Sequence, residues 1–284
     1  MAQLSVMPIR LALDLIEHIW RCAFAPSGLR MNAVHDIHAR EPIANRLLLS
    51  LPPETLARLR PELEIVALQR GQTIDRVDGK IENLHFVNRG LVSLVKTMRD
   101  GRSVEIGAVG IEGVTDPSTL FGVETAIVET IVQVPGTAFR IPHESLLRAM
   151  TEDPDFRCAM KKYVRFAISE IAQTAACNRL HTLEERCCRW LLIARDSALS
   201  DTFPLTHEFL AMMLGVQRAG VSVAAGALQK AKLIRYVRGS VTIVDHAGLE
   251  EVSCECYASL RAELDLLFTG PSRAVEIRPP SAAF

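Results

Sequence analysis

Apolar residues recur at three- and four-residue intervals in the last third of the chain. Phe209, Leu210, Met213 and Leu214 form one such set, and Val221, Ala224, Ala225 and Leu228 form the next, beyond Gly215. This period predicts two amphipathic helices joined by a tight turn, where glycine lets the chain reverse. Thr206 is placed to cap the first helix. The second is expected from about Gln217 to Lys230. Leu233 to Val237 and Val241 to Val244 follow as strands, with Arg238-Gly239-Ser240 turning between them. A helix-turn-helix with a hairpin wing is a shape that seats its second helix in a DNA major groove.

Upstream the pattern is different. Between residues 41 and about 148 the apolar runs are short and separated by glycine turns. Strands are expected at Leu63–Leu68, Leu84–Val87, Leu91–Thr97, Val104–Val109, Ile127–Val134 and Ala138–Ile141. The turns between them are Arg70-Gly71, Asn88-Arg89-Gly90, Arg99-Asp100-Gly101 and Pro135-Gly136. Many short strands at close spacing indicate a sandwich or jelly roll. Helical pieces flank it near Pro53–Arg60 and Glu144–Met150.

From Pro154 to His181 the chain has no glycine and reads as one long helix. Met160, Val164, Ala167, Ile171, Thr174 and Asn178 are spaced alternately four and three apart. That is the a/d seam of a coiled coil, in which a polar Asn fixes register. A core helix packed on its own domain has the same period. After the wing, Asp245 caps a helix through Leu249 and Val252 to Tyr257 and beyond. The fold class is α+β, in five segments. Residues 1–40 are a helical or poorly ordered extension, and Met31 is a second candidate start. Residues 41–150 are a jelly-roll-like β-roll with a sensing role, 153–181 a long dimerisation helix, and 182–262 a winged helix-turn-helix. Residues 270–284 are a disordered tail. A chain of 284 residues has room for two domains with separate cores.

Charge sharpens the reading of the winged segment. Between Thr206 and Ser240 the cations are Arg218, Lys230, Lys232, Arg235 and Arg238, and the one acid is Glu208. Five minus one leaves four net positive charges, in a chain whose formal net charge is −1. A basic patch on a near-neutral protein points to a polyanion at one end only. A solvated charged face has the same composition, but the helix-glycine-helix-hairpin order favours DNA. The pI near 6.7 argues against general coating of nucleic acid. No apolar run approaches the ~20 residues that cross a bilayer, so no membrane partner is expected.

The seven cysteines are Cys22, Cys158, Cys177, Cys187, Cys188, Cys254 and Cys256. The odd count and the spacings give no disulfide framework, and no pair has the C-x-x-C spacing of a zinc site. No metal is therefore expected, and a reduced, cytoplasmic protein is the simplest account. Cys254 and Cys256, on a predicted helix, point to different faces. No nucleophile-base-orienter set, phosphate loop or HExxH motif appears, so no catalytic residue is assigned.

The order β-roll, long helix, winged helix-turn-helix resembles the Crp/Fnr family of bacterial transcription regulators over roughly residues 41–260. The most specific part is Leu205-Thr206 through Gly215-Val216-Gln217-Arg218, then Val221, Leu228 and Leu233-Ile234. Asn88-Arg89-Gly90, Gly110-Ile111-Glu112-Gly113 and Glu184-Glu185-Arg186 with Trp190-Leu191-Leu192 add to it. The resemblance implies a homodimer on double-stranded DNA with two-fold-related half-sites, and contact with RNA polymerase. It implies that Arg218 reads a guanine, for which a bidentate contact to O6 and N7 suits arginine. The Thr206 N–H and Gln217 side chain then hold phosphates, as does Arg238 at the wing tip. Ser222 lies on the same helix face. Many members carry a glutamate and a second arginine where this chain has Ala219 and Val223, so methyl contacts to thymine replace polar ones.

The resemblance also implies an effector sensed in the β-roll. Cyclic-nucleotide members hold the phosphate with an arginine, yet Gly110 to Val134 contains no Lys or Arg; the nearest are Arg102 and Arg140. Glu129-Thr130 stands there instead, and a phosphate beside Glu129 is repelled. A cyclic nucleotide is thus not expected. Nor is an iron–sulfur cluster, since Cys22 alone lies in the N-terminal region where that chemistry needs several. Haem is not expected either, because a lone histidine in a β-roll, such as His85 or His143, reads as structural or exposed. No cofactor is assigned and the effector stays open. The alternative function is a β-roll ligand module whose winged helix contacts protein rather than DNA.

Overall fold

The computed structural model describes residues 41–269. The expected N-terminal extension, the choice between Met1 and Met31, Cys22 and the tail from Gly270 lie outside them. Two long strands organise the first part. β3 (Asn83–Thr97) and β5 (Glu129–Pro142) pair antiparallel from Asn83↔Pro142 to Val95↔Glu129. β1 (Glu64–Leu68) and β2 (Thr73–Asp75) pair with the other edge of β5, toward its opposite ends. β4 (Ser103–Val109) pairs with the second half of β3. β2 has no counterpart in the sequence reading, because three residues are too short for an alternation to register.

Asn88-Arg89-Gly90 is not a turn between two strands, as expected, but a bulge inside one. The register shifts on both sides of Arg89, opposite Pro135-Gly136 in β5. Gly90 has φ +99°, and a Cβ there would lie 2.5 Å from the Val134 carbonyl oxygen. Only glycine fits that bend. The bend closes the sheet on itself, so that Leu68 and Ala138 from one half meet Val92, Val109 and Val132 from the other. The jelly-roll-like expectation is met by one five-stranded antiparallel sheet rolled over an apolar interior.

Helices α1 (Arg46–Leu49), α2 (Pro53–Leu59) and α3 (His143–Glu152) pack outside the roll. α4 (Pro154–Leu180) starts where the carboxylate of Asp153 accepts the Asp155 and Phe156 N–H groups at 3.0 and 3.1 Å. Its inner face buries Phe156, Met160, Tyr163 and Phe166 against Leu84, Phe86 and Ile141. The helix expected from Asp245 is broken in two: α8 (His246–Val252) and α9 (Cys256–Thr269). Near its start α9 touches Gln173, and further on Glu263 meets Arg165 and Ser169, so α9 runs antiparallel along α4.

This packing corrects the seam. Met160, Val164, Ala167 and Thr174 are buried inside the single chain, while Ile171 and Asn178 are exposed. The exposed apolar stripe lies further round the helix, at Ile168, Ile171, Ala172 and Ala175. Periodicity identifies an apolar face but not which partner covers it.

α5 (Leu183–Ala198) follows a capping box in which Thr182 and Glu185 satisfy each other's backbone N–H groups. It is buried on nearly every side. Leu91, Val95, Ala108 and Val134 of the roll share its cluster with Leu210, Met213 and Leu228 of the winged segment. The two domains expected from chain length thus share this cluster, while the roll keeps an apolar interior of its own. At its centre Glu105 accepts hydrogen bonds from Ser93 and from Trp190 Nε1, the latter at 3.3 Å. Glu170 of α4 accepts the Ala108 N–H at 3.1 Å. Burial pushes Glu105 up to about 7. Burial, then the neighbouring Glu112, pushes Glu170 up to about 8.

Both acids bind protons more tightly folded than unfolded. Their contribution to stability is complete below the ordinary carboxylate range and is lost as pH rises through their folded pKa values. Buried His85, held down to about 4, stops opposing this once the unfolded histidine is neutral. Melting temperature is expected to fall between about pH 6.5 and about pH 8.5, and Glu170→Gln to fall less. Thermal melts monitored by circular dichroism check this.

Candidate nucleic-acid interface

Thr206 caps α6 (His207–Leu214), its hydroxyl accepting the Phe209 N–H at 3.3 Å. Gly215, at φ +64°, ends that helix, and Arg186 donates to the Leu214 carbonyl at 2.5 Å. The chain then turns 111° into α7 (Arg218–Lys230). That angle lies in the range of helix-turn-helix units. Val221, Ala224, Ala225 and Leu228 face inward, as the spacing predicts.

The wing is β7 (Ile234–Val237) and β8 (Ser240–Ile243), joined by Arg238-Gly239 alone. Ser240 pairs with Val237 and belongs to the strand rather than the turn. β6 (Thr202–Pro204), too short to predict, adds a third strand beside β8. The Leu205 N–H donates to the Gly239 carbonyl at 2.9 Å, which brings the wing tip beside Thr206.

All seven residues assigned to DNA contact are solvent-exposed. Gln217 is the N-cap of α7, and Arg218 its first residue. Ala219, Ser222 and Val223 share the outer face with Gly226 and Lys230, and Val223 is 74% exposed. Ser222 Oγ lies 3.0 Å from His207 Nδ1, and His207 stands edge-on to Tyr236 at 4.7 Å between ring centroids. Burial, and then the charge of Arg218, lowers the His207 pKa. His207 is thus a neutral strut between α6, α7 and the wing, a role that nothing in the linear pattern marks.

Arg238 has φ 48°, a left-handed backbone that disfavours a side chain with a full Cβ. Gly239 is also left-handed, at φ 79°, so the two make a type I′ hairpin turn. Asparagine fits the first position better than arginine does. An arginine held there against backbone preference fits a role for its charge.

In the roll, Asp75 and Asp116 come together. Burial, and then Asp116, pushes Asp75 up to about 6. The two arginines that flank the Gly110–Val134 stretch in sequence are engaged elsewhere, Arg140 with Glu64 at 2.5 Å and Arg102 with Asp100 at 2.7 Å, while Lys96 Nζ donates to the Ile127 carbonyl at 3.0 Å. A second cluster lies where α4 ends. Cys177, His181, Cys254 and Cys256 present ligand atoms all within 4.8 Å of one another, a set that could hold a metal ion. Sequence spacing hid it, because the four residues come from two distant segments. Cys254 also precedes α9 instead of lying on one helix with Cys256, so both sulfurs turn the same way.

Comparison with known proteins agrees with this geometry. Residues 185–252 match the Crp-like helix-turn-helix domain family. The global nitrogen regulator of Synechococcus elongatus is 21% identical over 204 residues, covering 66% of this chain and 89% of that protein. A Crp/Fnr-family regulator from Eubacterium rectale has a similar structure, with TM-score 0.56 and 18% identity over 72% of this chain and 96% of that one. FixK2 from Bradyrhizobium japonicum gives TM-score 0.56 and 16% identity, over 68% and 98%. At these identities the structures establish the fold.

Two substitutions separate folding from charge at this surface. Gly226 sits in α7 with open space where a Cβ would go. Gly226→Ala is expected to stabilise by about 1 kcal/mol. Arg238→Asn is expected to raise the melting temperature while removing a cation from the wing tip. Denaturant titration of the first variant and a thermal melt of the second measure these gains.

Proposed function

We propose that this chain, a non-enzymatic Crp/Fnr-type DNA-binding transcription regulator, acts as a homodimer that reads two-fold-related half-sites through Arg218. The observation that carries the reading is an exposed arginine on the first turn of α7, on a helix set at 111° to its supporting helix. From there a guanidinium reaches the O6 and N7 acceptors of guanine. Thr206, Gln217 and Arg238 hold phosphates around it, and Ser222 and Lys230 add contacts along the helix. Ala219 and Val223 meet thymine methyl groups. With few polar contacts to bases, the site differs from that of readers with a glutamate and second arginine on this face.

Dimerisation uses the exposed stripe of α4 at Ile168, Ile171, Ala172 and Ala175, which supports a two-fold pair of readers. The roll acts as a sensor without a cyclic-phosphate clamp. Gly110 to Val134 contains no arginine or lysine, its neighbour Lys96 is engaged by the Ile127 carbonyl, and Asp116 adds its negative charge to that of Asp75. The dimer works in the cytoplasm and, by the family resemblance, meets RNA polymerase at promoters.

Arg218→Ala is expected to cost about 1–3 kcal/mol at one base pair per half-site, leaving binding to random duplex nearly unchanged. Arg238→Asn is expected to weaken all sequences alike and to flatten the salt slope by about 0.9 for each phosphate it no longer neutralises. Fluorescence anisotropy across a salt series measures both. Salt-insensitive binding points instead to a winged helix that contacts protein. Ile168→Asp is expected to give monomers in sedimentation and to weaken binding to the full site.

A further inference from the structure

The four-residue cluster at the end of α4 has the geometry of a single metal centre. Cys177 lies on the last turn of α4 and His181 is its C-cap, one helical turn on. Cys254 and Cys256 lie in the break between α8 and α9 and at the start of α9. The three cysteines are buried together. Cys177 Sγ is 3.6 Å from Cys254 Sγ, and Cys256 Sγ is 3.5 Å from His181 Nδ1. A tetrahedral zinc site, with Zn–S about 2.3 Å and Zn–N about 2.0–2.1 Å, has edges of ~3.5–3.8 Å. The four atoms thus need little movement to close on one ion. An iron–sulfur cluster holds its thiolates further apart.

The surroundings fit the same chemistry. His181 turns Nδ1 to the cluster, and its Nε2 lies 3.1 Å from the Glu255 carboxylate. A carboxylate behind a metal-bound imidazole fixes the ring and its tautomer. Gln173 Nε2 donates to Cys256 Sγ at 2.9 Å, and the Arg189 guanidinium lies against Cys177. Such donors offset the excess negative charge of three thiolates around a divalent ion.

We propose that Cys177, His181, Cys254 and Cys256 form a structural Cys3His site for zinc. Each thiol releases its proton to solvent on binding, and neutral His181 supplies a lone pair. The centre joins residues 77 apart in sequence, and nearly the whole winged unit lies between them. Zinc therefore closes the DNA-reading unit into a loop clamped at the end of the long helix. That consequence rests on the function proposed above, whereas the site itself does not.

The test uses the full chain purified under reducing conditions. Elemental analysis is expected to find one zinc per chain. After chelation, cobalt(II) titration is expected to saturate at one equivalent, with the intense absorption of a tetrahedral cobalt–thiolate centre, bleached by zinc. Cys254→Ser and Cys256→Ser are expected to abolish this signal and Cys158→Ser, at an exposed cysteine, to keep it. Glu255→Gln, at an exposed position, is expected to weaken metal affinity by about 10–100-fold without changing the spectrum. If either cysteine variant fails to fold, the wild-type titration and Glu255→Gln decide alone. Absence of stoichiometric uptake, uptake unaffected by both serine variants, or a Cys177–Cys254 disulfide in protein alkylated at lysis overturns the site. Failure to bind DNA with the metal centre intact leaves it standing and counts against the reader.

Discussion

Everything in this fold depends on α5 being buried on nearly every side. Trp190 and its neighbours are claimed by the roll on one flank, and Leu191 and Leu192 join a cluster with the winged segment. Fully buried side chains of this size contribute about 1.5–3 kcal/mol each. The surface ion pairs around them contribute about 0–1 kcal/mol each. The reader is therefore held to the roll by a continuous apolar core rather than by charges at its edge.

That core carries polar groups at defined places. Glu105 meets Ser93 and Trp190, Glu170 meets the Ala108 backbone, and Arg186 reaches the carbonyl that ends α6. Each joins one layer to another: sheet to α5, sheet to α4, and α5 to the helix that supports α7. Buried polar groups are costly unless satisfied, so such links fix one arrangement of layers more sharply than apolar contact does. A change in the roll that moves β4 has a direct physical route to the end of α6. Val104 of β4 lies 3.0 Å from where a Cβ on Gly215 would stand.

Local chemistry made much of this legible in the sequence. Thr206, Gly215, the inward face of α7 and the two wing strands follow from capping, glycine conformation and period, and those are short-range effects. What stayed hidden depends on contacts between distant segments. Asn88-Arg89-Gly90 has the composition of a turn, and only pairing with Pro135-Gly136 makes it a bulge. Met160 and Ile171 share a period, but one is fully buried against the roll and the other, at the edge of that contact, is 38% exposed. Cys177 and Cys254 are far apart along the chain and 3.6 Å apart in space. Even so, two histidine or cysteine ligands one helical turn apart, Cys177 and His181, are a signal that a search for adjacent cysteines alone does not catch.

The most direct measurement is selection of bound sequences from a random duplex pool, with wild type and Arg218→Ala side by side and no cyclic nucleotide added. The account predicts a two-fold-symmetric site for wild type. It also predicts loss of preference at one base pair in each half-site for the variant. A wild-type site without symmetry, or an identical site from both proteins, contradicts it.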